Sequence, residues 1–375
     1  MARIIFFMTV LCSMFSQHPM FIGTSVAIIL KYSWALPFMY LVITHSKTKL
    51  HRVIKTYFGF SIFFVIYDLL FASKDQISLK TDVINILMSF LVLYTSFLFW
   101  IHNKSEKFLR YLCIALLLSI TYLAFIIYTS FLSTDTLNEV QYAYSSKNSI
   151  ATIILSTIII CSLNIKPNWK VFSYFLYACY FILIVIMFLL KSRATLVGFI
   201  YFISYISTRY NNKKIRYTIA LALIVCVGYI LYNPDAYEIV VNNIFFANRA
   251  VNDFNAVSSG RDEQFAQFWD DYVKSPLFGI GRGYVDSFPL EILIKYGIIG
   301  LFVMSLFIFK IYKQIYNLPR NSSLHLTTFL LLCVFLLNSL FEAYPPFGPG
   351  IKCCLLWMFV GFSFADKSQQ KNIIK

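Results

Sequence analysis

At 375 residues, 59% hydrophobic and 19% aromatic but only 13% charged, the chain falls outside the soluble globular class, where about a quarter of residues carry charge. Its formal net charge of +15 would suit a nucleic-acid binder. The basic residues, however, are confined to short clusters between long apolar runs, so the excess reads as a membrane topology signal and nucleic acid is not an expected partner.

A helix of about 20 apolar residues crosses a bilayer. Runs near that length predict spans at 4–17, 20–44, 53–72, 83–101, 108–132, 148–164, 170–190, 193–208, 215–232, 288–310, 322–341 and 351–366. The expected fold class is all-α: a polytopic integral membrane protein of about twelve transmembrane helices. The whole of 1–375 forms a single transmembrane domain, with one large loop at 233–287. Taking alternate connections, Lys and Arg favour one side by about two to one, which predicts cytoplasmic termini and an external long loop.

Near the start, Arg3 and its apolar run resemble a signal peptide. Ser16-Gln17-His18-Pro19 lacks a small-x-small cleavage pattern, so the segment reads as a retained first span. Lys31 and Asp68 are ionisable residues inside spans, expensive there, and the expectation is a pair across two helices. The connection 133–147 is polar but carries no chemical signal. The cysteines lie in or at the ends of spans with no ligand spacing, and the scattered histidines sit at span ends, so neither metal nor cofactor is expected. Lys191-Ser192-Arg193 is a tight external turn holding two cations at headgroup level. No internal repeat is visible.

The long loop opens at Asn233-Pro234-Asp235, a turn signal. Ser259 and Asp262 have capping-box spacing for a helix that starts near Gly260 and ends before Ser275-Pro276. Phe265, Phe268, Trp269 and Tyr272 fall at i, i+3, i+4 and i+7, which predicts an amphipathic helix lying on the membrane surface, aromatic side down. Its N-terminus, with the donor fork of Arg261, suits a diphosphate, while Asp262 and Glu263 in the same turn compete with such an anion. Gly279-Ile280-Gly281-Arg282-Gly283 allows the backbone to fold closely round a ligand. Glu291 and Lys295, at i and i+4, predict a helix-surface ion pair, whereas Asp286 has no such partner nearby in sequence. The stiff turn Glu342 to Gly350 is expected to line the same cavity.

Several of these residues carry a resemblance to a known family. Ser192-Arg193 begins a span, and Ser259-Gly260-Arg261 and Trp269 lie in the large loop. Ser275-Pro276-Leu277-Phe278-Gly279-Ile280-Gly281 leads on to Glu291-Ile292-Leu293-Ile294-Lys295-Tyr296-Gly297-Ile298-Ile299-Gly300-Leu301. Together these resemble the bacterial O-antigen polymerase and ligase superfamily. Arg249, followed by ten residues and Gly260, is similar to an Arg-x10-Gly pattern of its polymerases. The ligase branch commonly carries a His-Asn pair where this chain reads Asp286-Ser287, and no histidine occurs between His102 and His325. The resemblance therefore favours the polymerase branch.

What the resemblance implies is a membrane glycosyltransferase of the GT-C type in the bacterial inner membrane, with its long loop periplasmic. It would be inverting and metal-independent, moving a growing glycan from undecaprenyl diphosphate to a new lipid-linked repeat unit. Arg261 and Arg193 are the expected catalytic cations, with Asp286 as base. Arg249, Gly260, Arg282, Lys191, Glu263 and Glu342 are expected to bind diphosphate or glycan. Implied partners are undecaprenyl-diphosphate-linked repeats, membrane lipid, a chain-length-regulating co-polymerase and a flippase. The alternatives are a ligase joining polymer to lipid A-core, a lipid-linked oligosaccharide flippase or other transporter, and a non-enzymatic scaffold.

Overall fold

In hydrocarbon the backbone has no solvent partner, so each apolar run must close its hydrogen bonds within itself and fold as a helix. The computed structural model describes residues 1–45, 48, 51–71, 77–131, 147–167, 169–209, 217, 225, 228–245, 260–348 and 350–373. In chain order its helices are α1 (Ala2–Phe15), α2 (Ser25–Tyr32), α3 (Ala35–Thr44), α4 (Arg52–Phe71), α5 (Ile77–Asn103), α6 (Glu106–Phe131), α7 (Lys147–Asn164), α8 (Lys170–Leu189) and α9 (Arg193–Arg209). After the large gap come a short α10 (Pro234–Tyr237) running into a π-turn (Glu238–Phe245), then α11 (Arg261–Lys274), α12 (Phe288–Tyr316), α13 (Ser323–Ser339) and α14 (Ile351–Ile373). Among the described residues there is no strand, and seven helical stretches are long and apolar enough to cross a membrane, α2 and α3 counting together as one. The polytopic all-α expectation is met. The predicted span 215–232 and the polar connection 133–147 lie largely outside the described residues.

One predicted span is divided. The run 20–44 breaks at Ser33-Trp34, where α2 ends and α3 begins with Pro37 in its first turn. Proline lacks the N–H an uninterrupted helix would need there, but a first turn leaves that N–H unpaired anyway. The Lys31–Asp68 pair is not made. Lys31 lies against Gly350, and the Asp68 charge instead acts on Asp82 and Tyr296.

Helix packing follows membrane rules, small residues and interhelical hydrogen bonds rather than a water-driven seam. Gly361 of α14 lies so close to α5 that a Cβ would sit 2.5 Å from the Leu93 carbonyl oxygen. Trp100 of α5 stacks on Phe362 at 4.7 Å, and Phe60 of α4 stacks on Phe307 of α12 at 3.9 Å. α13 is surrounded by α7, α9, α12 and α14, with Thr328 bonded to Ser363 at 2.7 Å and Thr327 to Asn164 at 2.8 Å. Ile29, Leu36, Ile43, Phe181 and Phe302 face outward, as residues facing lipid do. At 1.5 Å per residue, the 17 residues of α13 span about 25 Å between two ends of the bundle.

Candidate active site

The long loop returns to the bundle through α11. That helix begins at Arg261 behind Gly260, whose φ of 74° places it in the left-handed region, and ends before Ser275. The start and the end match the sequence reading, but the cap position is taken by Gly260, with no side-chain capping bond, rather than by Ser259, which lies outside the described residues. The aromatic face is divided. Tyr272 is buried and Phe268 packs over Gly283, whereas Trp269 is 46% exposed in company with Val273 and Leu277. The helix thus rests on the return segment and leaves a partial apolar face outward.

Arg261 joins three parts of the chain. Its Nε donates to the Asp286 carbonyl at 2.7 Å and its Nη2 to the Phe341 carbonyl at 2.8 Å, with the guanidinium 5.7 Å from the Phe341 ring. Two backbone carbonyls therefore fix the plane of the cation. Asp286 is held on three sides: its N–H donates to Gln264 Oε1 at 2.9 Å, its carbonyl accepts from Arg261, and its carboxylate accepts from the Tyr284 hydroxyl at 2.6 Å. Burial, reinforced by the Asp286 carboxylate, pushes the Tyr284 phenol up, so it remains a protonated donor.

Between α11 and Asp286 the chain lies against a break in α12. Gly297, at φ 66° and ψ −168°, interrupts the helix. An unbroken helix would pair Ile298 N–H with the Ile294 carbonyl and Ile299 N–H with that of Lys295. Here Ile298 N–H donates to the Pro276 carbonyl (3.0 Å) and Ile299 N–H to that of Leu277 (3.2 Å), while Ile280 N–H reaches the Ile294 carbonyl (2.9 Å) and Gly281 N–H that of Lys295 (3.0 Å). The exchange is reciprocal: each group freed by the break is satisfied by the return segment, as buried polar backbone requires. Two glycines permit the approach. A Cβ on Gly297 would sit 2.3 Å from the Leu277 oxygen, and one on Gly279 would sit 2.5 Å from the Gly297 nitrogen. The Ser275-to-Gly281 and Glu291-to-Leu301 motifs are thus two halves of one interlock.

Beneath it lies a buried charge cluster. The Glu291–Lys295 pair forms, but it is buried rather than on a helix surface, and Lys295 also reaches Asp82 of α5 at 2.9 Å. Tyr296 approaches Asp82 at 3.4 Å, and the Tyr67 hydroxyl of α4 lies 3.0 Å from the Tyr296 carbonyl and 2.5 Å from that of Phe278. Glu342 is committed to Lys352 at 2.5 Å, and its carbonyl accepts from Phe288 N–H. Asp82, Asn85, Glu291 and Tyr344 line a cavity of about 20 Å³. By the space open to a water's centre, that is room for about one or two waters. This cluster ties α12 to α5 beside the interlock.

The other arginine approaches from α9. Lys191 is buried at φ 48° in the left-handed turn before it, and Arg193 is the first residue of α9. Ser192 and Thr195 share a 3.0 Å hydrogen bond, Thr195 lies 3.4 Å from Thr152, Asn338 donates to Thr152 at 3.2 Å, and Phe341 N–H donates to the Asn338 carbonyl at 2.9 Å. The same Phe341 accepts from Arg261. Arg261 and the start of α9, where Arg193 stands, are therefore both tied to the Ser339 end of α13.

Arg282 sits apart on the exposed side, paired with Asp271 at 2.7 Å; Lys274 holds the same carboxylate at 3.0 Å. Those two partners hold the Asp271 carboxyl below the usual carboxylate range. Glu263 is an exposed residue in the first turn of α11, and Arg249 lies outside the described residues. Sequence reading missed Asp82, Tyr284, Gln264 and Lys352. Tyr284, two residues before Asp286, and Gln264, three after Arg261, stood near enough in sequence to be noticed.

A family model described as O-antigen ligase matches residues 178–305. No curated protein matches the chain. The matched stretch contains α9, α11, the return segment and the first half of α12, which is the arginine-bearing end of the bundle together with its interlock.

Proposed function

We propose that this protein, whose residues 178–305 match a family model described as O-antigen ligase, is a polymerase of the O-antigen polymerase and ligase superfamily, an inverting, metal-independent transferase of lipid-diphosphate-linked glycan. The anomeric C–O bond of the growing chain on undecaprenyl diphosphate breaks, and a hydroxyl of the incoming lipid-linked repeat forms the new glycosidic bond. The diphosphate departs with the negative charge, and the hydroxyl proton passes to a base. The donor brings its own leaving group, so what the protein must supply is fixed positive charge where negative charge develops.

The observation that carries this reading is Arg261, held in place by the Asp286 and Phe341 carbonyls at the end of α13 where Arg193 begins α9. Such orientation ahead of the reaction is what makes a cation effective on a transition state. Asp286, steered by Tyr284, is the proposed base, its hydroxyl substrate approaching from the loop side. Gly260, Glu263 and Lys191 are assigned to the surrounding binding surface with Arg249, while Arg282 and Glu342 act through the ion pairs that shape it. In this reading the loop end faces the periplasm and a flippase delivers the repeats, with a co-polymerase setting chain length.

Asp286-Ser287 in place of His-Asn favours polymerase over ligase. A deletion strain separates them. Loss of a polymerase leaves surface lipid capped with a single repeat, and loss of a ligase leaves full-length polymer unattached. Unattached polymer would refute the polymerase assignment.

A further inference from the structure

At the opposite end of α13, about 25 Å from the arginine site, a second cavity of about 480 Å³ opens between α5, α6, α7, α13 and α14. Its cationic lining is Lys104, Lys107, Arg110 and Lys166, against the acids Glu106 and Asp366. Asp366 is neutralised locally, since Lys104 is bonded to it and His325 Nε2 lies 3.4 Å away. Among the described residues Lys107, Arg110 and Lys166 make no ion pair.

Two further features make this more than a basic surface. Ser323 and Leu324 of the first turn of α13 line the cavity, and the cap residue Ser322 makes no side-chain capping hydrogen bond. The first-turn N–H groups and the positive end of the helix dipole therefore face this space. Trp100, only 2% exposed, forms part of the wall, and its indole N–H has no acceptor among the described residues. That N–H is itself sealed from solvent, so Trp100 contributes wall to the space rather than a donor. The uncapped helix end and the three cations that make no ion pair select negative charge with several acceptor oxygens.

We propose that this cavity binds a phosphate-bearing headgroup, that of an anionic phospholipid in the leaflet at this face. The volume exceeds that of a bare phosphate, and the cations sit at helix ends, at the level of lipid headgroups. The site does not touch the transferase chemistry, and it stands or falls independently of the polymerase assignment.

Full-length protein in detergent is incubated with an equimolar mixture of phosphatidylglycerol and phosphatidylcholine, and retained lipid is counted by native mass spectrometry. Wild type and Lys170→Gln, an exposed cation outside the cavity, should retain phosphatidylglycerol in preference. Lys107→Gln/Arg110→Gln/Lys166→Gln should lose that preference, at about fivefold per cation removed. If the triple variant does not accumulate, Lys166→Gln alone, on an exposed side chain, should still lower retention by about fivefold. Thermal stabilisation by inorganic phosphate that the same substitutions abolish would support the site with a soluble source. Equal retention of the two lipids by wild type, or unchanged preference in the variants with no phosphate effect, overturns the proposal.

Discussion

Arg261 is the residue whose removal should be most informative. Its side chain bonds the Asp286 and Phe341 carbonyls, so Arg261→Ala loses both a positioned cation and a tie between α11 and the end of α13. Removing one such donor costs about 10²–10³ in rate, and the expected product is single-repeat glycan with the protein at normal level. Arg261→Lys keeps the charge but cannot span two carbonyls with a planar fork, so it too should be impaired; gel analysis of surface glycan checks both. A different outcome is expected at Lys295, which holds Glu291 and Asp82 in a buried cluster. Lys295→Met strands two carboxylates and should cost about 3–5 kcal/mol. The triple neutral variant with Asp82→Asn and Glu291→Gln should recover most of that, measured by thermal unfolding in detergent. Asp271 gives a pH test. Its folded-state pKa is depressed by Lys274 and Arg282, so the link to Arg282 is fully present above its unfolded pKa of about 3.9 and is lost as pH falls through the lower folded value. Protection against hydrogen exchange across 279–283, relative to the intrinsic rate at each pH, should be flat from neutral pH to about 5 and fall below about 4, whereas Asp271→Asn should be less protected throughout.

The interlock between the return segment and the break in α12 explains why two glycine-bearing motifs, separated by Arg282 to Leu290, occur together. Gly297→Ala would force a side chain into the left-handed region, at about 1–2 kcal/mol, and would press a Cβ to 2.3 Å from the Leu277 oxygen. Thermal stability should fall by more than the conformational cost alone, and the Arg261 tie should loosen with it. Gly59→Ala, in α4 with nothing near its Cβ position, should instead be neutral or stabilising, by up to about 1 kcal/mol. The elements themselves were largely legible, because a membrane forces apolar runs to be helices and α11 carries its own start, face and stop in the sequence. The pairing between elements was not. Asp82 meets Lys295 across 213 positions, a distance over which periodicity says nothing. The i, i+4 spacing of Glu291 and Lys295 correctly gave a pair, but spacing does not tell a surface turn from a buried one. The helix break was hidden too, since Gly297 is equally at home in an uninterrupted transmembrane helix until a second backbone is seen pressed against it.

At the scale of the molecule, α13 works as a ruler between two unlike ends. At one end Phe341 and Asn338 gather Arg261 and the start of α9; at the other, Ser322 and Ser323 open onto a basic cavity. The two ends of α13 differ in chemistry: Arg261, oriented by two carbonyls beside Asp286, at one, and the cations Lys107, Arg110 and Lys166 at the other. Purified protein reconstituted in liposomes and supplied only with undecaprenyl-diphosphate-linked repeat units tests the central claim most directly. Wild type should build a ladder of lengthening lipid-linked glycans without added metal or nucleotide, and Arg261→Ala should leave the repeats single. Repeats that stay single with the wild-type protein, while moving across the bilayer or joining only a lipid A-core acceptor, would contradict it.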